Sequence, residues 1–309
     1  MVAKINLDKY INEVRNGMNI ANAQDIIRKD IMLTFILAEF QKLGLGKELI
    51  FKGGTLLSRN YLKYHRFSED LDFVHNDSNS LRELTRNARE REVRKYLNYF
   101  VPKLKKVADA LYLDFNTNRS NKRYCSMLSG KTVYTFRVYY SKEQYIKIEI
   151  NFIEKTIHQP KKESIKVITD FFDSKELLFT LGLKLDKFEV LSYSIEEIII
   201  EKYRAILTRK ALAERDLFDL FLIPNSLKTD IEEVVDKIAS SSLIKKELEL
   251  NKLIGDNLKL LKEGSFFNSR EKIEDLAIIK YSPDEFTAFK QKIQPILIDI
   301  CEKFLKQKS

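Results

Sequence analysis

The chain has 309 residues, 44% of them hydrophobic, which is enough to bury a sizeable core and long enough for two domains. Its 54 Lys and Arg outnumber 45 Asp and Glu, and the formal charge of +9 favours polyanionic partners. Two cysteines, Cys125 and Cys301, stand far apart and outside any CxxC spacing, which argues against a disulfide framework or a cysteine zinc site and fits a reducing, cytoplasmic setting. The first eight residues lack the apolar core of a signal peptide, and the greasiest early stretch, 31–40, is broken by Thr34 and Glu39, so no membrane segment is expected.

Residues 23–43 place Ile26, Ile27, Met32, Leu33, Ile36, Leu37 and Phe40 at the helical period, and Gly44 and Gly46 end the run. A short apolar strand at 49–51 then meets Gly53-Gly54, and a second helix is expected from Thr55 to Tyr64. Residues 70–75 alternate polar and apolar, which predicts a strand with one wet face. A basic helix follows, with nine Lys or Arg against three acidic residues over 82–106. From 111 the composition turns to Tyr, Phe, Val and Ile. Antiparallel strands are expected at 111–115, 131–140 and 145–152, with shorter ones at 164–168 and 187–191. After Ser192 the pattern is helical: Ser194 reads as an N-cap, Glu197 three residues on completes a capping box, Pro224 and Pro283 mark breaks, and Pro295 lies inside the last helix. These elements predict an α/β domain over 1–192 and a helical bundle over 193–309.

Asp70 and Asp72 lie two apart on a strand, so both carboxylates share one face while Leu71 and Phe73 enter the core. Paired carboxylates repel unless a cation lies between them, and hard oxygen donors at this spacing suit Mg²⁺, which takes its other ligands from water and substrate phosphates. Alone, an Asp-x-Asp is weak; a solvated strand edge produces the same letters. Its context strengthens it, because Gly53-Gly54-Thr55 turns a strand into a helix just upstream, a device that lets backbone approach a phosphate closely. Glu149, on the polar face of 147–152 with Lys147 and Asn151, is the candidate third acid, although an ordinary wet face explains it equally well. Lys202 borders the buried stripe of its helix, as do Asp216 and Asp219 on the next; a salt bridge pinning two helices and a cation for a triphosphate are both open readings. Basic residues interleaved with aromatics, among them Arg86, Arg89, Arg94, Arg123 and Arg137, suit nucleic-acid phosphates and bases, or a solvated helix and sheet face. The three histidines, His65, His75 and His158, match no zinc spacing.

Taken together, the stretches FKGGTLL at 51–57 and RFSEDLDF at 66–73 resemble the two halves of the first motif of the AbiEii/MenT nucleotidyltransferase toxin family. Residues 147–152 and 196–219 resemble its second motif and its EK…RD…D third motif. The resemblance implies a polymerase-β-like nucleotidyltransferase core joined to a helical domain, acting as the toxin of a toxin–antitoxin or abortive-infection system, with a cognate antitoxin as partner. Carried over by position, it implies that Gly53, Gly54, Thr55 and Ser68 hold the nucleotide and that Asp70 and Asp72 hold Mg²⁺, with Glu149, from the strand pattern, the candidate third metal ligand. Lys202 would meet the triphosphate of the NTP, and Asp216 would be the later catalytic acid, with Asp219 a weaker match. The acceptor expected from the basic and aromatic stretches is RNA, tRNA above all. A small-molecule nucleotidyltransferase of the antibiotic-modifying type, or a non-catalytic nucleic-acid-binding protein on the same scaffold, are the alternatives.

Overall fold

The computed structural model describes residues 7–18, 20, 23–128, 130–171, 187–241, 247–268, 273 and 277–307. The chain packs as two compact units, Met1–Ile153 with Pro160–Tyr193, and Glu154–Gln159 with Ser194–Ser309.

In the first unit, α1 (Leu7–Met18) and α2 (Gln24–Lys42) precede β1 (Leu49–Lys52), α3 (Gly53–Leu56), β2 (Asp70–His75), α4 (Ser78–Glu83) and α5 (Arg86–Ala110). Then come β3 (Cys125–Leu128), β4 (Val133–Tyr139), β5 (Tyr145–Asn151), β6 (Lys161–Ser164) and β7 (Glu189–Ser192). The strands form one seven-stranded sheet in the order β3-β4-β5-β2-β1-β7-β6. It is mixed: β2 runs parallel to β5 and β1 parallel to β7, and the other pairs are antiparallel. One face is covered by α2 and α5. The ring of Phe40 on α2 lies 5.9 Å from Phe73 of β2 and 5.8 Å from Phe100 of α5, and Phe100 in turn lies 5.3 Å from Phe136 of β4. Strand alternation therefore sends Leu71, Phe73, Ile148 and Ile150 into this core and Asp70, Asp72, Lys147 and Glu149 to the other face.

Three expectations need correction. Residues 111–115 form no strand; Leu111, Leu113 and Phe115 are buried, and the Leu111 and Leu113 amides still bond to Val107 and Ala108 of α5, so this apolar alternation is the helix's exit. Only a single bridge joins Asp114 to Tyr139, and the edge place is taken by β3, whose Met127 and Leu128 are exposed. The strand expected at 164–168 forms earlier, at Lys161–Ser164, as a largely exposed polar edge, while Ile165, Val167 and Ile168 follow it into the interior. The helix expected through 64 is α-helical only to Leu56, then widens over Leu57–Tyr61, where the Leu62 amide reaches back to the Leu57 carbonyl.

The second unit holds α6 (Ile195–Thr208), α7 (Glu214–Leu222), α8 (Ile231–Ser240), α9 (Glu247–Lys262) and α10 (Pro283–Lys306). Ser194 caps α6 by accepting from the Glu197 amide at 3.3 Å. Glu197 does not return the capping-box bond. Its carboxylate accepts instead from the Ile157 and His158 amides at 3.0 and 2.8 Å and pairs with the fully buried Lys237 at 2.6 Å. That network ties residues 154–159 into the helical unit. Pro283 stands in the first turn of α10, where a missing amide costs nothing, and Pro295 lies within it. Cys125 and Cys301 are buried free thiols. Among the described residues, no helix is long and apolar enough to cross a membrane.

Candidate active site

The polar face of the sheet is organised by register. Lys52 at the end of β1 is paired with Asp72 of β2, Asp70 is paired with Lys147 of β5, and Asp72 with Glu149. Paired residues share a face, so the two aspartates, Glu149 and two lysines meet over three adjacent strands. The turn from β1 into α3 closes over them. Gly53 has φ of +82°, and a Cβ there would stand 2.5 Å from Asp72 Oδ2; a Cβ on Gly54 would stand 2.9 Å from Arg66 Nη2 and from Ser68 Oγ. Gly53 is thus required by its backbone conformation and by close approach, and a side chain at Gly54 would displace Arg66 and Ser68. Thr55 Oγ1 donates to the Asp70 carbonyl at 2.6 Å, stitching α3 to the start of β2. Gly53, Gly54, Thr55, Ser68, Asp70 and Asp72 lie together at this turn.

The base of this turn is pinned from below. Arg59, in the widened turn after α3, is 1% exposed and pairs with the 4% exposed Asp30 of α2 at 2.6 Å, while donating to Thr34 Oγ1 at 2.9 Å. Tyr64 donates to the second Asp30 oxygen at 3.2 Å. A buried pair bonded through both Arg59 Nη atoms, with only Nε left without a partner, fixes geometry more than it adds stability.

Electrostatics mark Asp72 out. Burial, and then the neighbouring Glu149, push its carboxyl up to about 6, with Lys147 and Lys52 acting in the opposite sense. Lys147 lies 2.9 Å from Asp70 and 3.8 Å from Glu149. Burial opposes its charge, but Asp72, Asp70 and Glu149 outweigh that and hold its ammonium above the usual range. Among the described residues, no three His, Cys, Asp or Glu side chains already converge as a metal cage. Mg²⁺ needs less than a cage: one or two carboxylates suffice when phosphates complete its shell. Asp70 and Asp72, hard donors on one face beside a turn with no Cβ in the way, fit that need, and the strained charge of Asp72 is what a nearby cation would relieve.

The residues expected to meet RNA divide between the two faces. The helix α5 packs on the face away from the carboxylates, so Arg86, Arg89 and Arg94 lie behind the sheet. Arg89 is also engaged, donating to the carbonyls of Leu81, Arg82 and Leu84. Arg86 and Arg94 are exposed, and Arg86 pairs with Glu90 at 3.2 Å. Arg137 faces the carboxylate side, paired with Lys147 across the strands, and Arg123 lies 3.9 Å above the ring of Tyr139, which stands beside Tyr145. A groove of about 570 Å³ opens next to Asp70 and Lys147, walled by Tyr140 and Tyr145 and carrying Asp25, Glu69, Glu143 and Lys29.

In the second unit, Lys202 of α6 is bonded to Asp216 at 2.7 Å and Asp219 at 2.5 Å, both on α7, and Arg209 also pairs with Asp216. All of Lys202, Asp216 and Asp219 are buried. The helix-pinning salt bridge is therefore present. Sequence reasoning assigned nothing to Lys147, Lys52 or the Asp30–Arg59 pair; alternation on 147–152 put Lys147 on the acidic face, but only register sets it against Asp70.

A mixed sheet with an i,i+2 carboxylate pair beside a Gly-Gly turn, joined to C-terminal helices, is the arrangement of the polymerase-β-like nucleotidyltransferase class. A family profile described as "Nucleotidyl transferase AbiEii toxin, Type IV TA system" matches residues 36–305, and the chain belongs to that family. Among solved structures it is similar to MenT4, a nucleotidyltransferase toxin from Mycobacterium tuberculosis H37Rv, at 15% identity and a TM-score of 0.51, over 94% of this chain and 89% of that one. That likeness supports the fold. No curated protein matches the chain.

Proposed function

We propose that this toxin-family nucleotidyltransferase is Mg²⁺-dependent and moves a nucleoside monophosphate from an NTP to the terminal hydroxyl of an RNA, tRNA foremost. The observation that carries the reading is the convergence of Asp70 and Asp72 beneath the glycine turn, where burial and Glu149 disfavour the Asp72 charge in spite of Lys147 and Lys52. Bound Mg²⁺ would supply charge for the oxygens that attack and leave. Asp70 and Asp72 would hold it, and Gly53, Gly54 and Ser68 would line the path of the triphosphate. Lys202 is assigned to the β- and γ-phosphates, and Asp216 to later acid work, on the family's third motif. The acceptor oxygen bonds to the α-phosphorus, the bond from that phosphorus to the α,β-bridging oxygen breaks, and pyrophosphate leaves. Glu149, paired with Asp72 across the strands, would bind the second ion or take the hydroxyl proton. Arg123 and Arg137, with Tyr139 and Tyr145 on the carboxylate face, support an RNA acceptor.

One observation favours a second reading. The groove beside Asp70 carries four carboxylates, Asp25, Glu69, Asp70 and Glu143, against Lys29 and Lys147, a lining that suits a small cationic acceptor of the antibiotic kind better than phosphate. The two are separated by supplying Mg²⁺, labelled NTP and either total bacterial RNA or a panel of aminoglycosides. Label in RNA, falling with rising salt and lost on chelation, supports the proposal; label only in the small molecules overturns the RNA acceptor.

A further inference from the structure

A second cavity lies on the other side of the sheet, at the far end of the strand that carries the carboxylates. It has a volume of about 430 Å³ and is walled by His75 at the end of β2, Phe152, Tyr96 and Val93 of α5, and Leu81 and Leu84. His75 is five residues along β2 from Asp70, roughly 16 Å at the rise of a strand, and its side chain points to the opposite face. This cavity is therefore separate from the candidate active site.

Its rings form an aromatic floor: Tyr96 meets His75 edge-on at 4.5 Å, and Phe152 stacks on His75 at 5.4 Å. Two residues of its lining, Glu48 and Tyr96, each carry a polar atom, Oε2 and Oη, that is buried without a hydrogen-bond partner. A buried acceptor left unmade costs on the order of 1–3 kcal/mol, so a pair of them in one cavity points to groups that a ligand completes. The charge of the lining narrows the ligand. Lys95 is bonded to both oxygens of Glu92 at 3.0 Å, which leaves Glu48 and Asp77 as the remaining charges of the lining, with Lys103 near Glu48 from outside it. An anion is disfavoured there. Carboxylate acceptor, phenol and ring faces together match a flat cation, which donates along its edge and offers its face to the rings.

We propose that this cavity binds a planar organic cation, a guanidinium or amidinium group, through Glu48 and Tyr96 against the His75–Phe152 floor. The group could arrive on a free small molecule or as an arginine side chain of a bound protein; the recognition chemistry is the same. The neutral tautomer of His75 suits the role, since its Nδ1 accepts from the Asp77 amide at 3.2 Å and burial lowers its proton affinity, keeping a like charge out of the cavity.

The test is calorimetric titration of the full-length chain with benzamidine and with the tripeptide acetyl-Gly-Arg-Gly-amide, using benzamide and benzoate as neutral and anionic controls. The expected result is binding of at least one cationic probe with a Kd near or below about 1 mM, and none of either control. Tighter binding of the tripeptide assigns the site to a protein arginine, and tighter binding of benzamidine to a small molecule. Glu48→Gln and Tyr96→Phe keep the shape of the cavity, and thermal melts of both check the fold. Glu48→Gln should weaken binding about 10- to 100-fold, the worth of a charge-assisted hydrogen bond, and Tyr96→Phe less. Absence of binding by both cations, equal binding of benzamide, or an affinity unchanged in folded Glu48→Gln overturns the proposal.

Discussion

Asp72 joins the chemistry of the site to the stability of the protein. Its carboxyl titrates near 6 when folded, against about 3.9 in an unfolded chain, so between those values the folded state binds the extra proton. Metal-free stability should therefore fall as pH rises through about 4 to 6, and Mg²⁺ should bind better above that window than below it. Thermal melts in chelator across this range check the point: the melting temperature should drop more steeply with rising pH in the wild type than in Asp72→Asn, by the contribution of Asp72. Parallel curves would remove Asp72 as the strained group. Lys147 is the other half of the matter, since its ammonium stands against Asp70 and Glu149 where a metal would add charge. Replacing it with Met should tighten Mn²⁺ binding in the absence of nucleotide by about tenfold, while lowering metal-free stability. Unchanged Mn²⁺ affinity would show that the lysine does not compete. At this scale the motif residues were legible because spacing alone fixes their faces: i and i+2 on a strand look the same way. Lys147 was not, because its partner is set by the pairing of β2 with β5, and no local pattern encodes register between strands 70 residues apart.

The glycine turn between β1 and α3 is the element that brings phosphate-binding backbone to the carboxylates. Gly53→Ala forces a side chain into the left-handed region, at about 1–2 kcal/mol, and also drives its Cβ against Asp72. Gly44 shares the left-handed conformation, with φ of +72°, but nothing lies within 4 Å of where its Cβ would stand. Gly44→Ala should thus lose comparable stability and keep nucleotide binding, whereas Gly53→Ala should lose both. Chemical denaturation and NTP titration on the two variants check it, and equal NTP affinity in both would detach Gly53 from the site. Among the elements, α2, β1, β2 and β5 were readable because their periodicity matches their burial. The region 111–115 misled for a physical reason: alternating Leu111, Leu113 and Phe115 are buried by the end of α5 and need no sheet. The edge strand β3 escaped notice and β6 was expected a few residues late, because pairing at an edge asks only for backbone, and their side chains are largely polar or exposed.

At the scale of the molecule, the chain is a nucleotidyltransferase-fold unit and a helical unit, and the sequence pattern that changes after Ser192 marks most of the division. What it does not mark is the return of residues 154–159 to the helical unit, which depends on Glu197 and Lys237 supplying charge and hydrogen bonds to a segment with no periodicity of its own. Net charge was also a coarse guide. Several of the basic residues that raise it lie on α5, behind the sheet, while the groove beside Asp70 is acidic. The central claim is chemical: Asp70 and Asp72 serve transfer at the α-phosphorus of an NTP. It is tested most directly by incubating the protein with Mg²⁺, acceptor and NTP labelled at either the α- or the γ-phosphate, for wild type and for Asp72→Asn shown by melting to be folded. The account predicts α-label joined to acceptor and γ-label released as pyrophosphate by wild type, and neither by the variant. Label from the γ-position in the acceptor, or undiminished α-label transfer by Asp72→Asn, would contradict it.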